Sequence, residues 1–251
     1  MLHDNVHRDR TSVPTDSTSY ARKSDQRAQD ILSLLTGHVD LQGKLILDLG
    51  CGPDPVSKGF WRLSSHIVGI DSSIRYVRNA RSNSSLDLVL GDGRSMPFKD
   101  ESFAFILCND VLEHVREDGK LMDELLRVLC LKGVAYLQCA NKYQIIEPHF
   151  LLPFLSWIPR PLADIYLKVT RKGSSYGEYF PRTRKELLTL IGSHRAIDLT
   201  YERALMKIKT LNVQSKLLLR VVSLLREILP DRIIASLGKH FSVIAFLVFK
   251  D

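Results

Sequence analysis

The chain lacks long apolar runs and paired cysteines. Its 251 residues include four cysteines, and no two of them are spaced as CxxC: Cys51, Cys108, Cys130 and Cys139. This spacing favours reduced, structural thiols. Charge or proline interrupts every apolar stretch before about 18 residues, so the sequence predicts no membrane-spanning helix. A composition of 45% hydrophobic and 25% charged residues excludes wholly disordered, collagen-like and coiled-coil chains.

Apolar residues are almost absent from residues 1–19, which are rich in Ser, Thr, Asp and Arg. This composition predicts a disordered arm, followed by one domain over residues 20–251. The same segment lacks the apolar centre of a secretion signal, so we expect a cytoplasmic protein.

Positive charge is concentrated in the last part of the chain. Residues 141–251 carry 18 basic and 9 acidic side chains, whereas the earlier residues are nearly balanced. Such a region suits nucleic acid, an anionic membrane surface or an anionic small molecule, and a solubilising surface would explain it as well. The chain has no interleaved basic and aromatic face and no RNA-binding module, so we do not expect a nucleic-acid partner.

Short apolar strands alternate with helical segments in the first half of the chain. We predict strands at residues 44–49, 66–70, 86–90, 102–108 and 133–139, with helices after Asp54-Pro55 and over residues 72–80 and 111–129. This alternation predicts an α/β fold, with a mostly parallel sheet and helices on both faces. Further helical patterns cover residues 20–35, 182–191 and 213–229, and residues 197–201 and 242–249 are β-rich.

Proline and aromatic residues interrupt this pattern at residues 141–181. Pro153, Pro159 and Pro161 divide an apolar run that begins at Phe150. Because proline breaks regular elements, this segment predicts a helical cap, built of short helices and inserted after the fifth strand, rather than more sheet.

The sequence LDLGCG at residues 47–52 joins a strand to a glycine-rich turn, and glycine lets the backbone approach a ligand closely. Asp71 ends the second strand, where a carboxylate can accept hydrogen bonds from a ribose diol. Asp92 ends the third strand and can accept one from an adenine amine. Since parallel strands present their carboxyl ends at one edge, a nucleoside-binding site is expected there. Asp48 could serve that site or form only a local cap.

These motifs together resemble the class I S-adenosylmethionine (SAM)-dependent methyltransferases of the small-molecule "type 11" family. The resemblance is carried by LDLGCG at 47–52, VGID at 68–71 and GDGRSMPFKDESFAFILCNDVLEHV at 91–115. It covers residues 20–141 well and the closing strands more loosely. It implies a Rossmann-like sheet of seven strands, the last one antiparallel, and SAM as the methyl donor.

The resemblance also implies which residues hold SAM. Gly50, Cys51 and Gly52 would contact its methionine part, Asp71 and Ser72 its ribose, and Asp92 and Gly93 its adenine, while Asn109 would face the methyl group and Asp48 would complete the set. The family usually has glycine where this chain has Asp54. A carboxylate at that position would repel the carboxylate of SAM.

His149 is the candidate catalytic residue. It follows the fifth strand in a loop that leaves the same edge of the sheet, with Glu147 and Tyr143 nearby in sequence. An imidazole there could remove the proton from an acceptor hydroxyl. A histidine that only caps or packs is an equal alternative.

Asp110, Glu113 and His114 form a second constellation. On a helix their spacing would bring all three to one face, and such a set can hold Mg²⁺ or a softer divalent ion. It resembles the metal site of ubiquinone-pathway O-methyltransferases and small-RNA 2′-O-methyltransferases, and His149 could complete it. Metal-free relatives carry the same Leu-Glu-His-Val sequence, so the sequence leaves a metal open.

We therefore predict a SAM-dependent methyltransferase that acts on a small-molecule, sugar or lipid-linked acceptor, at oxygen before carbon or nitrogen. Residues 141–181 would form the acceptor-binding cap, and Arg160, Arg171 and Lys172 could meet an anionic acceptor. The cap could instead touch a membrane or merely cover the sheet. The alternatives are a quinone or polyprenyl-ring methyltransferase at a membrane surface and a non-catalytic partner subunit that retains the fold.

Overall fold

The computed structural model describes residues 17–64, 66–84, 86–210, 233 and 243–250. The predicted helix 213–229 and most of the predicted arm lie outside these residues. Within them, the helices and strands are α1 (Ser17–Leu35), β1 (Ile46–Leu49), β2 (Ile67–Asp71), α2 (Ile74–Asn83), β3 (Asp87–Leu90), β4 (Phe103–Asn109), α3 (Asp118–Val128), β5 (Leu129–Cys139), β6 (Ile146–Glu147), β7 (Leu152–Pro153), α4 (Arg160–Val169), α5 (Arg184–Ile191), β8 (Arg195–Asp198), α6 (Thr200–Thr210) and β9 (Ile244–Phe249). Helix α1 therefore includes the last three residues of the predicted arm.

Seven strands form one sheet in the order β3-β2-β1-β4-β5-β9-β8. Strands β1 to β5 pair in parallel, and β9 runs antiparallel to both of its neighbours. This arrangement confirms the predicted Rossmann-like sheet of seven strands with one antiparallel member.

Helices cover both faces of the sheet, as predicted. Alternate residues of each strand point to opposite faces, so Ile46 packs with Ile31 of α1, whereas Leu47 packs with Leu125 of α3. Helices α1, α2 and α6 lie on the first face, and α3 and α5 lie on the second. The sequence pattern identified α1, α2, α3 and α5, whereas α6 was not predicted.

The first five strands end at one edge of the sheet, which we call the carboxyl edge. The chain leaves that edge after β5 and forms a cap over residues 141–181. The cap contains α4 and a 3-10 helix, Leu155–Trp157, and also a two-stranded ribbon of β6 and β7. The prediction of helices alone was therefore wrong for this ribbon, whose strands are only two residues long.

Two predicted helices are also shorter than expected. After β1 the chain forms only a 3-10 helix, Val56–Phe60, and Asp54 does not cap it but pairs with Lys58. The helix predicted from Val111 begins instead at Asp118, after a 3-10 turn at Leu112–His114. In both places the chain makes contacts that sequence periodicity does not report: the Ser57 N–H donates to Asp48, and Gln138 donates to Asp110.

Gly59 lets this 3-10 helix lie directly against α1. A β-carbon at Gly59 would overlap the β-carbon of Ala28, which is buried in α1. We expect Gly59→Ala to lower the free energy of unfolding by about 1–3 kcal/mol, because overpacking forces neighbouring atoms apart. Urea unfolding measures this value.

The matched control is the double variant with Ala28→Gly. Alone, Ala28→Gly should cost about 1 kcal/mol through helix propensity. Combined with Gly59→Ala it should restore part of the lost stability, because the overlapping atom is gone. Losses that simply add would contradict a direct contact between the two positions.

Candidate active site at the carboxyl edge

The turn after β1 has the geometry of a ligand-binding backbone. Gly50 and Gly52 both have left-handed φ angles, +70° and +64°. A β-carbon at Gly50 would lie 2.5 Å from Cγ2 of Val111, whereas nothing lies within 4 Å of the corresponding point at Gly52. Gly50 thus permits close packing, and Gly52 borders open space.

Asp71 lies beside this turn at the end of β2. Its Oδ2 accepts a hydrogen bond from the Gly52 N–H at 3.0 Å, and its Oδ1 accepts one from the Ser73 N–H at 2.8 Å. Burial raises the pKa of this carboxyl above its usual value, and both N–H donors oppose the shift. The carboxylate is therefore fixed in direction and retains lone pairs for ribose hydroxyls. Ser72, between these groups, is exposed.

Asp92 lies at the end of β3, as predicted, but it already has a cationic partner. Arg94 binds its carboxylate through Nε and through Nη2, the latter at 2.6 Å, and reaches Glu117 at 2.7 Å with Nη1. An adenine amine would therefore share this carboxylate with Arg94, which the sequence analysis missed. Gly93 serves packing: a β-carbon there would lie 2.6 Å from Leu121.

Asp48 is buried beneath the turn. Its Oδ2 accepts a hydrogen bond from the Ser57 N–H at 3.2 Å, which matches the local capping alternative. Burial raises the pKa of Asp48 to about 6. Nearby, Lys58 neutralises Asp54, so the carboxylate that replaces the family's glycine is paired. Cys51 is buried, and burial raises the pKa of its thiol, which suits a packing role.

The loop after β4, residues 109–115, connects the glycine turn with the cap; we call it the β4 loop. Val111 packs against Gly50 at one end. Asn109 donates from Nδ2 to Asp110 Oδ2 at 3.1 Å, and Gln138 of β5 donates from Nε2 to Asp110 Oδ1 at 2.9 Å. With Asp110 at a φ of +59°, the loop cannot form the helical face that the sequence analysis predicted, and that prediction was wrong.

His149 is held in the cap by a buried carboxylate. Its Nδ1 lies 2.7 Å from Oε1 of Glu147, whose Oε2 accepts the Phe150 N–H at 2.6 Å. Glu147 has no exposed surface. The imidazole packs edge-on against Tyr179, with ring centroids 4.3 Å apart, and lies 5.4 Å from the His114 ring of the β4 loop.

Two other sequence candidates, Tyr143 and Arg160, have different surroundings from those expected. Tyr143 packs against Trp157, with ring centroids 5.8 Å apart. Arg160 donates to the carbonyls of Gly177 and Tyr179. Its guanidinium therefore links two parts of the cap. Tyr179, a neighbour of His149, was missed because it follows no motif.

The described residues contain no group of three His, Cys, Asp or Glu side chains able to hold a metal ion. Both oxygens of Asp110 accept hydrogen bonds from side-chain amides. Glu113 is buried and accepts the Ala140 N–H at 3.3 Å. The arrangement as it stands does not fit a divalent ion.

Glu113 is nevertheless electrostatically unusual. Its Oε2 is buried without a hydrogen-bond partner among the described residues. Burial, with a further contribution from Asp110, raises its pKa to about 8. Because the folded protein then holds the proton more tightly than the unfolded chain, stability falls as pH rises from the usual glutamate range toward 8.

We expect Glu113→Gln to remove this pH dependence. The variant should gain stability over the parent chain as pH rises from 5 to 8, on the order of 2 kcal/mol at the upper end. Thermal and urea unfolding at several pH values measure the difference. Glu178→Gln, at an exposed cap position, is the matched control and should track the parent. Equal pH slopes for Glu113→Gln and the parent would disprove the assignment.

Residues 47–137 match a family model described as a methyltransferase domain. The chain is 25% identical over 138 residues to a ubiquinone biosynthesis O-methyltransferase from Neisseria meningitidis, in an alignment covering 49% of this chain and 58% of that protein. The chain thus spans about half the length of the curated relatives it matches.

Two solved structures share the fold over most of the chain. One is a Thermotoga maritima SAM-dependent methyltransferase, described as a possible histamine N-methyltransferase, with a TM-score of 0.55 and 15% identity over 93% of this chain and 91% of that one. The other is the [4+2]-cyclase SpnF, with a TM-score of 0.52 and 16% identity over 90% and 80%. At such identities these likenesses show the fold alone.

The matched residues 47–137 include the glycine turn, Asp71, Asp92 and the β4 loop. The match therefore covers the features that would hold SAM, and not only the sheet. Residues 47–137 are thus similar to a methyltransferase domain, and the sheet shares the fold of a SAM-dependent methyltransferase of known structure.

Proposed function

We propose that the chain transfers the methyl group of SAM to an oxygen atom of a small-molecule, sugar or lipid-linked acceptor that lies beneath the cap. The observation that carries the proposal is the β4 loop. Val111 contacts the glycine turn at one end of that loop, and His114 contacts His149 at the other. Residues 111–114 therefore connect the glycine turn, which would hold SAM, with His149, the candidate base.

The roles proposed for the residues around SAM follow from their contacts. Gly52 leaves room for the methionine part, Asp71 accepts from the ribose, and Asp92 accepts from the adenine while bound to Arg94. Asn109 borders the same edge, and Asp48 supports the turn from below. SAM, when bound, supplies a methyl group that is already activated by the positive charge on its sulfur.

His149 is the proposed general base. The bond from Nδ1 to Glu147 leaves Nε2 to take the proton from an acceptor hydroxyl as its oxygen is methylated. Glu147 acts as a positioning residue, since it orients the imidazole and would stabilise the imidazolium that forms. Tyr179 and the remainder of the cap, residues 141–181, exclude water from the imidazole.

Binding of SAM is the first test of this function. We expect micromolar binding by calorimetry and a loss of about 10–100-fold in Asp71→Ala, because charged hydrogen bonds contribute about 1.5–3 kcal/mol. Asp87→Ala, at an exposed carboxylate of β3, is the control and should bind like the parent. A folded parent protein that does not bind SAM would refute the proposal.

Transfer itself is tested with labelled SAM and a panel of acceptors bearing ring, sugar or carboxyl oxygens. With an active acceptor, His149→Ala should lower kcat by about 10²–10⁴-fold without changing the Kd of SAM. Glu147→Gln should lower kcat less, and His38→Ala, at an exposed histidine, should not lower it. An unchanged kcat in His149→Ala would disprove its role as base.

A quinone or polyprenyl-ring acceptor at a membrane surface is the second candidate. Supporting it are the curated relatives, which are named ubiquinone biosynthesis O-methyltransferases, and the apolar surface of the cap. A preference for a prenylated phenol over the same phenol without its chain would favour it. SAM binding without transfer to any acceptor would favour a non-catalytic partner subunit instead.

A further inference from the structure

The cap exposes an apolar rim at the β6–β7 ribbon. Six large side chains of this rim are between 40% and 67% exposed, and they belong to Tyr143, Ile145, Ile146, Leu151, Phe154 and Trp157. Contiguous apolar surface of this kind marks an interaction site more often than a bare solvent face.

The rim is held in place by backbone bonds and ring contacts. Leu151 and Phe154 both have left-handed φ angles, 55° and 57°, which large residues adopt only when their surroundings require it. The Phe154 N–H donates to the carbonyl of Ile145 at 2.7 Å, and the ring of Phe154 packs against Trp157, with centroids 5.1 Å apart. The exposed side chains therefore project from a fixed scaffold.

Helix α4 continues the apolar surface. Its residues Leu162, Ile165 and Val169 are 54%, 56% and 75% exposed, and their spacing aligns them in one stripe along the helix. The opposite face of α4 is buried through Ala163 and Leu167. The helix is thus apolar on the face it buries and also on a face that no described residue covers.

Positive charge accompanies this stripe. Lys168, Arg171 and Lys172 are exposed at the end of α4. Of the three acidic residues of the cap, Glu147 is fully buried and Asp164 accepts the Tyr176 N–H at 2.6 Å. The cap therefore presents apolar side chains beside basic ones, the combination that favours an anionic lipid surface.

We propose that the rim and the α4 stripe dock on an anionic lipid bilayer, with the apolar side chains in the interfacial layer and the basic residues among the headgroups. No helix in the described part of the chain has the length and apolarity to cross a bilayer, so docking is peripheral. The idea rests on the proposed function in one respect: a docked cap would let a lipid-borne acceptor reach His149.

The chain's own residues 211–242 are a weaker candidate to cover this surface. That segment, of which the structure describes only Ile233, carries five basic and two acidic side chains. Like charge disfavours its contact with Lys168, Arg171 and Lys172, whereas an anionic membrane attracts both.

The two tryptophans of the chain supply a sharp test. Trp157 lies in the rim. Trp61 instead follows the 3-10 helix Val56–Phe60, where the chain returns to the edge of the sheet opposite the carboxyl edge. The Gly43 N–H, just before β1, donates there to the Leu63 carbonyl. In Trp61→Phe, brominated phosphatidylcholine in vesicles containing phosphatidylglycerol should quench Trp157. In Trp157→Phe, the same vesicles should leave Trp61 unquenched. Equal quenching of both reporters, or of neither, would overturn the proposal.

Vesicle flotation with substituted full-length protein provides the second measurement. Ile165→Glu with Val169→Glu should lower binding at least tenfold, and Leu131→Glu, at an exposed apolar residue of β5, should not. Changing Lys168, Arg171 and Lys172 to Gln should remove the preference for anionic over neutral vesicles. The control variant, Arg75→Gln with Arg78→Gln on α2, should keep that preference. Unchanged binding in both cap variants would contradict docking through this surface.

Two controls separate this proposal from the proposed function. The Kd of SAM and transfer to a soluble acceptor are measured without vesicles, and both should be unchanged in Ile165→Glu with Val169→Glu. A SAM-binding protein that ignores vesicles would refute docking alone. A dimer that this variant dissociates without lipid would assign the surface to a second copy and would also overturn the proposal.

Discussion

The close approach of Gly50 to Val111 is the constraint on which the candidate site depends. Any β-carbon at Gly50 would lie 2.5 Å from a methyl group of Val111. Val111 can therefore pack against this turn only because residue 50 is glycine. The contact brings the β4 loop against the turn after β1. Everything attached to that loop, from Asn109 to His114, is then positioned relative to the backbone that would hold SAM.

Carboxylates organise the rest of the site, and each has different hydrogen-bond partners. Asp71 is bound by two backbone N–H groups, Glu147 by one N–H and an imidazole, and Asp92 by a guanidinium. Burial, with a further contribution from Asp110, raises the pKa of Glu113, although the Ala140 N–H donates to its carboxyl. A protonated Glu113 would be a hydrogen-bond donor at neutral pH, which sets it apart from the other three.

Much of the fold could be predicted because the sheet obeys local rules. Buried parallel strands appear in the sequence as short apolar runs, and the residue that follows each run lies at the carboxyl edge of the sheet. Asp71 and Asp92 were therefore placed correctly at that edge. Asp54 and residues 111–117 were misjudged for a physical reason. Capping and periodicity favour helices there, but the chain bonds to other strands instead: the Ser57 N–H donates to Asp48 of β1, and Gln138 of β5 donates to Asp110. Tyr179 follows no motif, and only the fold brings it to the site. Arg94 lies within the motif at residues 91–115, but the motif does not indicate its ion pairs with Asp92 and Glu117.

The central claim is that the glycine turn and His149 face one bound nucleoside. A crystal structure with S-adenosylhomocysteine, the demethylated product, tests this most directly. The account predicts that the ribose hydroxyls bind Asp71, that the methionine part lies over Gly52, and that the sulfur opens toward Nε2 of His149. A nucleoside bound elsewhere, or a sulfur separated from His149 by the β4 loop, would contradict it.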